Sequence, residues 1–224
     1  MQKSLIIFDL DGTLIDSVPD LANSIDAMLA YFSKPPAGKA RVRNWVGNGS
    51  VKLVERAIRW ANLSIDDPDC AHDIFLKNYA HATIRNESIE YKGVTDGLNR
   101  LIDHGFLLAI CTNKPCQFLP AILDKMGWTD KFACIMGGDS LPTKKPDPAP
   151  LLSICDKLGI DSSQAVMVGD SKNDIIAGQN AKITTLAMTY GYNYGEPIAS
   201  SQPDGTFDDF GQLVDYLVQN YQKI

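Results

Sequence analysis

The stretch Ser4-Leu5-Ile6-Ile7-Phe8-Asp9-Leu10-Asp11-Gly12-Thr13 decides how this chain folds. Its first half is a continuous apolar run, the pattern of a strand buried on both faces of a parallel sheet. It stops abruptly at two carboxylates and a Gly-Thr pair. Three later runs look alike, at 106–111, 165–168 and 183–188, and amphipathic patterns at 93–104, 148–158 and 174–181 predict helices around them. Strands alternating with helices predict an α/β fold, a doubly wound and mostly parallel sheet forming a Rossmann-like core.

The distance between the first two strands is anomalous. A βαβ unit needs about 30 residues, yet Asp9 and Phe106 lie about a hundred positions apart. The excess shows helical patterns at 19–32, 51–62 and 70–84, a Pro/Gly-rich break at 34–38, and no convincing strand. It predicts a helical insertion over residues 16–91 that caps the end of the sheet, set into an α/β core made of 1–15 and 92–224.

Composition sets the outer limits. The 224 residues are 45% hydrophobic and 21% charged, which excludes disordered and fibrous classes. With no apolar run of about 18 residues, no membrane span is expected, and the few apolar residues before Asp9 are too short for a signal peptide. Five cysteines without a CxxC pair argue against a disulfide framework or zinc site and for a reducing cytoplasm. Net charge of -6 argues against nucleic-acid partners. At first sight it also weighs against small anionic ligands.

In open α/β sheets ligands bind beyond the carboxyl ends of the strands. There this sequence places Asp9 and Asp11, then Thr112-Asn113, then Gly169-Asp170-Ser171-Lys172-Asn173-Asp174, with Lys144-Lys145-Pro146 in a loop before the last. The fold would gather Asp9, Asp11, Asp170 and Asp174. Two like charges about 4 Å apart cost roughly 4 kcal/mol at an effective dielectric of 20, so such a group protonates or recruits a hard cation such as Mg²⁺. Helix capping accounts for Ser171 and Asp174 but poorly for the Asp-x-Asp pair. A carboxylate, ionised at neutral pH, can attack phosphorus without a general base. A second carboxyl two residues on can protonate the leaving oxygen and then activate water. Thr112 and Lys145 suit the remaining phosphate oxygens.

Asp9-Leu10-Asp11-Gly12-Thr13, Thr112-Asn113, Lys145-Pro146 and Gly169-Asp170-Ser171-x-Asn173-Asp174 resemble, in order, the four signature motifs of the haloacid dehalogenase superfamily, and the likeness spans the chain. It implies Asp9 as nucleophile and Asp11 as acid/base, with the Asp11 backbone carbonyl on Mg²⁺. Thr112, Asn113 and Lys145 would bind phosphate, Asp170 would ligate Mg²⁺, and Asp174 would support it from further out. Lys145 takes the lysine role, because the family lysine directly precedes proline, with Lys144 as its rival. The second Asp separates the superfamily's phosphatases from its dehalogenases.

Longer stretches resemble the phosphoglycolate phosphatases within that superfamily: 11–21, Trp45-Val46-Gly47-Asn48-Gly49, Cys111-Thr112-Asn113-Lys114-Pro115 and Gly137-Gly138-Asp139-Ser140-Leu141-Pro142. This implies a Mg²⁺-dependent, cytoplasmic phosphomonoesterase, monomer or homodimer, releasing glycolate and phosphate from 2-phosphoglycolate through an aspartyl-phosphate. Gly47, Asn48 and Gly49, just before a helix, offer converging N–H groups for a carboxylate, or else a plain glycine turn. The alternatives are a phosphatase for another small ester (nucleotide, sugar phosphate or pyrophosphate), a β-phosphoglucomutase-like phosphotransferase, a phosphonate hydrolase using Lys52, or a non-catalytic binding protein. Lys52 and Arg56 read as a solvated face, Cys111 and Cys134 as core, and His72, His81 and His104 as surface or helix-face residues. Lys92 replaces a proline common in the family, and 190–194 reads as a loop.

Overall fold

The computed structural model describes residues 3–64, 68–85 and 87–221; Met1 and Gln2, read above for a leader peptide, lie outside them. The chain begins with the fully buried strand β1 (Leu5–Phe8) and a short strand β2 (Ile15–Asp16). Four cap helices follow: α1 (Val18–Tyr31), α2 (Lys39–Arg43), α3 (Ser50–Trp60) and α4 (Pro68–Arg85). Strand β3 (Ile89–Glu90) then returns to pair antiparallel with β2. The core resumes with α5 (Val94–Asp103), β4 (Leu107–Cys111), α6 (Leu119–Lys125), β5 (Cys134–Met136) and α7 (Ala149–Leu158). It closes with β6 (Ala165–Gly169), α8 (Lys172–Asn180), β7 (Thr184–Met188), β8 (Gly205–Phe207) and α9 (Phe210–Asn220).

The main sheet runs β5-β4-β1-β6-β7-β8, and every neighbouring pair is parallel. The chain steps outward from β1 to β5, then crosses back to β6 and steps the other way, the doubly wound order of the Rossmann fold. Side chains alternate between faces as the pleat requires. Ile6, Phe8, Leu108, Ile110, Val166 and Val168 join one core with α5 and α9, while Leu5, Ile7, Ala109, Cys111, Ala165 and Met167 join the other with α7 and α8. Burial on both faces is why these strands read as unbroken apolar runs.

Several elements escape the sequence pattern. Strands β5 and β8 sit at the sheet edges and are three residues each, too short for a period to register. The insertion, expected to hold no strand, contains β3, whose two residues are both exposed and so carry no burial pattern. Helix α2 is five residues long, immediately after the predicted break.

The insertion is pinned where it rejoins the core. Asp20, buried in the first turn of α1, accepts hydrogen bonds from the Glu87 N–H at 2.9 Å, the Ser88 N–H at 2.9 Å and the Ser88 hydroxyl at 2.5 Å. Asp20→Ala strands these donors. A melting experiment should show a loss of about 2–3 kcal/mol, with Asp20→Asn, which keeps one acceptor oxygen, losing less.

Candidate active site

The winding reversal places β1 beside β6, and the crevice beyond their carboxyl ends is where such sheets bind ligands. Asp9 follows β1 directly and Asp170 follows β6. The loop between Asp9 and β2 must pass tightly under Asp170. Gly12 makes this possible: its φ is +91°, and a Cβ there would lie 2.2 Å from Asp170 Oδ2.

Asp9, Asp170 and Asp174 each bring a carboxylate oxygen within 4.8 Å of the others. Lys145 supplies the cation. Its buried ammonium donates to the Cys111 carbonyl at 2.5 Å and to Asp174 Oδ1 at 2.6 Å, and lies 3.0 Å from Asp9 Oδ1. Asp174 is the N3 residue of a capping box, with Oδ2 accepting from the Ser171 N–H at 3.0 Å and the Ser171 hydroxyl at 2.8 Å. Helix capping and the acidic cluster, opposed readings of Asp174 in the sequence, are thus both true of it. Asp170 accepts from the Thr13 hydroxyl at 2.7 Å and the Tyr192 N–H at 2.6 Å.

Asp9 and Asp174 share the Lys145 ammonium, and the titration of Asp9 and Asp170 reflects the shortfall of positive charge. Burial raises Asp9 to about 7, with Lys145 opposing and Asp174 and Asp11 reinforcing. Burial, then Asp174 and Asp9, hold Asp170 well above the usual carboxylate range. Burial alone would depress Lys145, but Asp174 and Asp9 outweigh it and keep the ammonium charged. A cluster of oxygen donors lacking positive charge fits a hard divalent cation. Asp11 Oδ1 is also buried without a hydrogen-bond donor.

The cap closes this crevice into a cavity of about 40 Å³. Asp9, Asp11 and Thr112 form its core side, and Gly47, Gly49, Ser50, Leu53, Phe75 and Tyr79 its cap side. Helix α4 presents Ala71, Phe75 and Tyr79 at four-residue steps as its buried stripe. The Gly47 carbonyl accepts from Asn113 Nδ2 at 2.9 Å and Asn173 Nδ2 at 3.0 Å, so two core asparagines hold the cap loop. Gly49 N-caps α3 without a side-chain cap bond.

The expected residues divide accordingly. Asp9, Asp11, Thr112, Asn113, Gly47 and Gly49 all line the cavity. Asn48 does not; its Oδ1 is held by the Arg56 guanidinium at 2.6 Å. Arg56, expected on a solvated face, is half-buried and also donates to the Trp45 carbonyl. Lys52 is exposed and paired with Glu55 at 2.7 Å. Lys144 is exposed, unlike Lys145. Cys111 is core, whereas Cys134 is half-buried on edge strand β5. His81 and His104 are exposed, but His72 is half-buried 2.9 Å from the Ser50 hydroxyl. The 190–194 loop straps the cap: Arg43 donates to the Tyr190 and Gly191 carbonyls, and Tyr192 donates to Asp16.

Sequence reasoning missed Lys114 and Tyr79. Lys114 Nζ lies 2.9 Å from Asp11 Oδ2 and donates to the Tyr79 hydroxyl at 2.7 Å. Its signal was its place directly after Thr112-Asn113, inside a stretch that resembles the phosphoglycolate phosphatases; a lone lysine ordinarily reads as solvated.

Comparison with known proteins identifies the family. Residues 6–188 match the family model described as haloacid dehalogenase-like hydrolase. A curated phosphoglycolate phosphatase from Psychrobacter arcticus is 51% identical, over 99% of this chain and 98% of its own length. One from Haemophilus influenzae is 43% identical, over 96% of this chain and 99% of its own. The crystal structure of a predicted phosphoglycolate phosphatase from Haemophilus somnus 129pt superposes with a TM-score of 0.92 at 41% identity, covering 96% of this chain and 98% of that one. No helix among the described residues is long and apolar enough to cross a membrane.

Proposed function

This chain belongs to the haloacid dehalogenase-like hydrolases and is a phosphoric monoester hydrolase; from that premise we propose that its substrate is 2-phosphoglycolate, hydrolysed to glycolate and phosphate. The observation that carries this reading is the small cavity onto which Asp9 and Asp11 both open. A single water needs roughly 10–15 Å³ by this measure, so about 40 Å³ is small enough to disfavour bulky esters while the cap is closed. The named relatives support the same substrate.

In this reading an Asp9 carboxylate oxygen attacks phosphorus in line with the ester oxygen, and the bond from phosphorus to that oxygen breaks. Asp11 delivers a proton to the departing glycolate oxygen. Water then attacks the Asp9 acyl phosphate, Asp11 taking its proton, and phosphate leaves with Asp9 regenerated. Lys145 and the Thr112 hydroxyl steady the transferring phosphoryl oxygens. Asp9, Asp170 and the Asp11 backbone carbonyl would hold Mg²⁺, with Asp174 fixing Lys145 and the loop behind them. When bound, the ion screens the Asp9 carboxylate from the anionic phosphate. The N-terminus of α3 at Gly49 turns its positive end to the cavity and favours a substrate that carries a further negative charge.

A panel of phosphate esters with and without EDTA tests this. The expected result is Mg²⁺-dependent phosphate release with kcat/KM for 2-phosphoglycolate at least about 100-fold above hexose phosphates, nucleotides and pyrophosphate, a gap of about 2.7 kcal/mol. A higher kcat/KM for any of those esters would reassign the substrate. Release of phosphate from none of them would revive the non-catalytic reading.

A further inference from the structure

Lys114 is a buried cation that the mechanism above does not use. Its side chain is 2% exposed, on the loop leaving β4. Of its three N–H donors, one meets Asp11 Oδ2 at 2.9 Å and one the Tyr79 hydroxyl at 2.7 Å. The ammonium also lies 4.7 Å from the centre of the Tyr79 ring, a cation–π distance. Tyr79 belongs to the cap and Asp11 to the core, so Lys114 stands where the two close on each other. Among the described residues lining the cavity it is the one cationic side chain; around it are Leu53, Phe75 and Phe118.

Burying an ammonium among apolar side chains is expensive unless an anion answers it. Asp11 answers it in part, but Asp11 must also face the ester oxygen. A third N–H remains for whatever fills the cavity. In 2-phosphoglycolate the carboxylate carbon is two bonds from the ester oxygen. With phosphorus at Asp9 and the ester oxygen at Asp11, a carboxylate two bonds away falls within reach of Lys114, which touches Asp11 at 2.9 Å.

Resting on the substrate reading above, we propose that Lys114 is the specificity-determining residue of this site: its ammonium binds a carboxylate on the carbon next to the phosphate ester. The ammonium keeps its hold on the cap through Tyr79 while doing so, so an acidic substrate draws cap and core together. A phosphate ester of the same size without a carboxylate gains nothing from Lys114.

The test compares kcat/KM for 2-phosphoglycolate and for ethyl phosphate, a neutral-tailed ester of similar size, in the wild type and in Lys114→Met. The wild type should prefer 2-phosphoglycolate, and the variant should lose about 10- to 100-fold of that preference, the range of one charge-assisted hydrogen bond. Lys114→Gln retains a donor for Tyr79 and Asp11 and serves where the methionine variant does not fold; it should lose the preference equally. A folded variant that keeps the wild-type preference, with both esters slowed alike, overturns the role of Lys114 while leaving the substrate reading intact. A wild type with no preference between the two esters overturns both.

Discussion

Asp9→Asn should abolish turnover and, in the metal-free protein at neutral pH, raise the melting temperature. An amide cannot form the acyl phosphate, so a loss on the order of 10⁴-fold or more is expected, the scale of nucleophile removal elsewhere. The stability gain follows from titration. Asp9 has a folded-state value of about 7 against a reference of 3.8. Between those values the folded state binds the proton that the unfolded chain has released, so stability falls as pH rises through that window. At 1.36 kcal/mol per unit the full difference is about 4 kcal/mol. In a chain of this size each kcal/mol moves the melting temperature by about 2–4 °C. Differential scanning of EDTA-treated protein should show the wild type losing stability from pH 5 to 8 and the variant losing less. Added Mg²⁺ should stabilise the wild type more at pH 8, where it no longer competes with protons. Retained turnover would remove Asp9 from the nucleophile's role, and a variant less stable than wild type at pH 8 would contradict the charge shortfall.

Lys145→Met should be the most damaging single change in the core. The ammonium is the shared partner of Asp9, Asp174 and the Cys111 carbonyl. Its removal leaves buried carboxylates facing one another, and breaking a buried ion pair from one side costs about 3–5 kcal/mol. The deficit should be smaller at pH 5, where the raised values of Asp9 and Asp170 mean the folded state already holds protons there. Activity should fall by about 10³-fold, since a charged group on the phosphoryl oxygens is worth several kcal/mol in the transition state. Lys144→Met, at the exposed neighbour, should change stability by less than about 0.5 kcal/mol and leave hydrolysis of the preferred ester near wild type. Equal effects at the two positions would remove Lys145 from the phosphate site.

How legible all this was depended on burial. Strands covered on both faces announce themselves, so β1, β4, β6 and β7 could be read within a residue or two, and with them the positions of Asp9, Thr112 and Asp170. Three of the four expected acids, Asp9, Asp170 and Asp174, were legible because fold topology brings strand ends together; Asp11 instead turns its carboxylate to Lys114. What stayed hidden lacked either length or local signal. The pair β2 and β3 is two residues a side, stabilised by partners about 75 positions apart in the chain. Lys114 and Tyr79 meet only because the cap folds back on the core, and neither residue's neighbours in sequence hint at the other. The 190–194 stretch reads as a loop able to contact the cap; which contact it makes emerges only from Arg43, which reaches it from the cap. The net charge of -6 misled for a related reason: it averages over the whole surface, whereas the site concentrates its acids and places two buried lysines against them.

The ribbon of β2 and β3 has a consequence for descent. Ile15 lies opposite Glu90 and Asp16 opposite Ile89, so the chain leaves the core and comes back at points that already touch. A segment whose ends meet can be lengthened, shortened or replaced without moving β1 or β4. Asp9 and Asp11 lie outside the stretch that such an exchange would replace, and Tyr79, Gly47 and Gly49 lie inside it. New substrates are therefore reachable by exchanging one continuous stretch of gene while the bond-breaking apparatus stays as it is. Lys114 marks the seam, a core residue whose usefulness depends on which cap it is given.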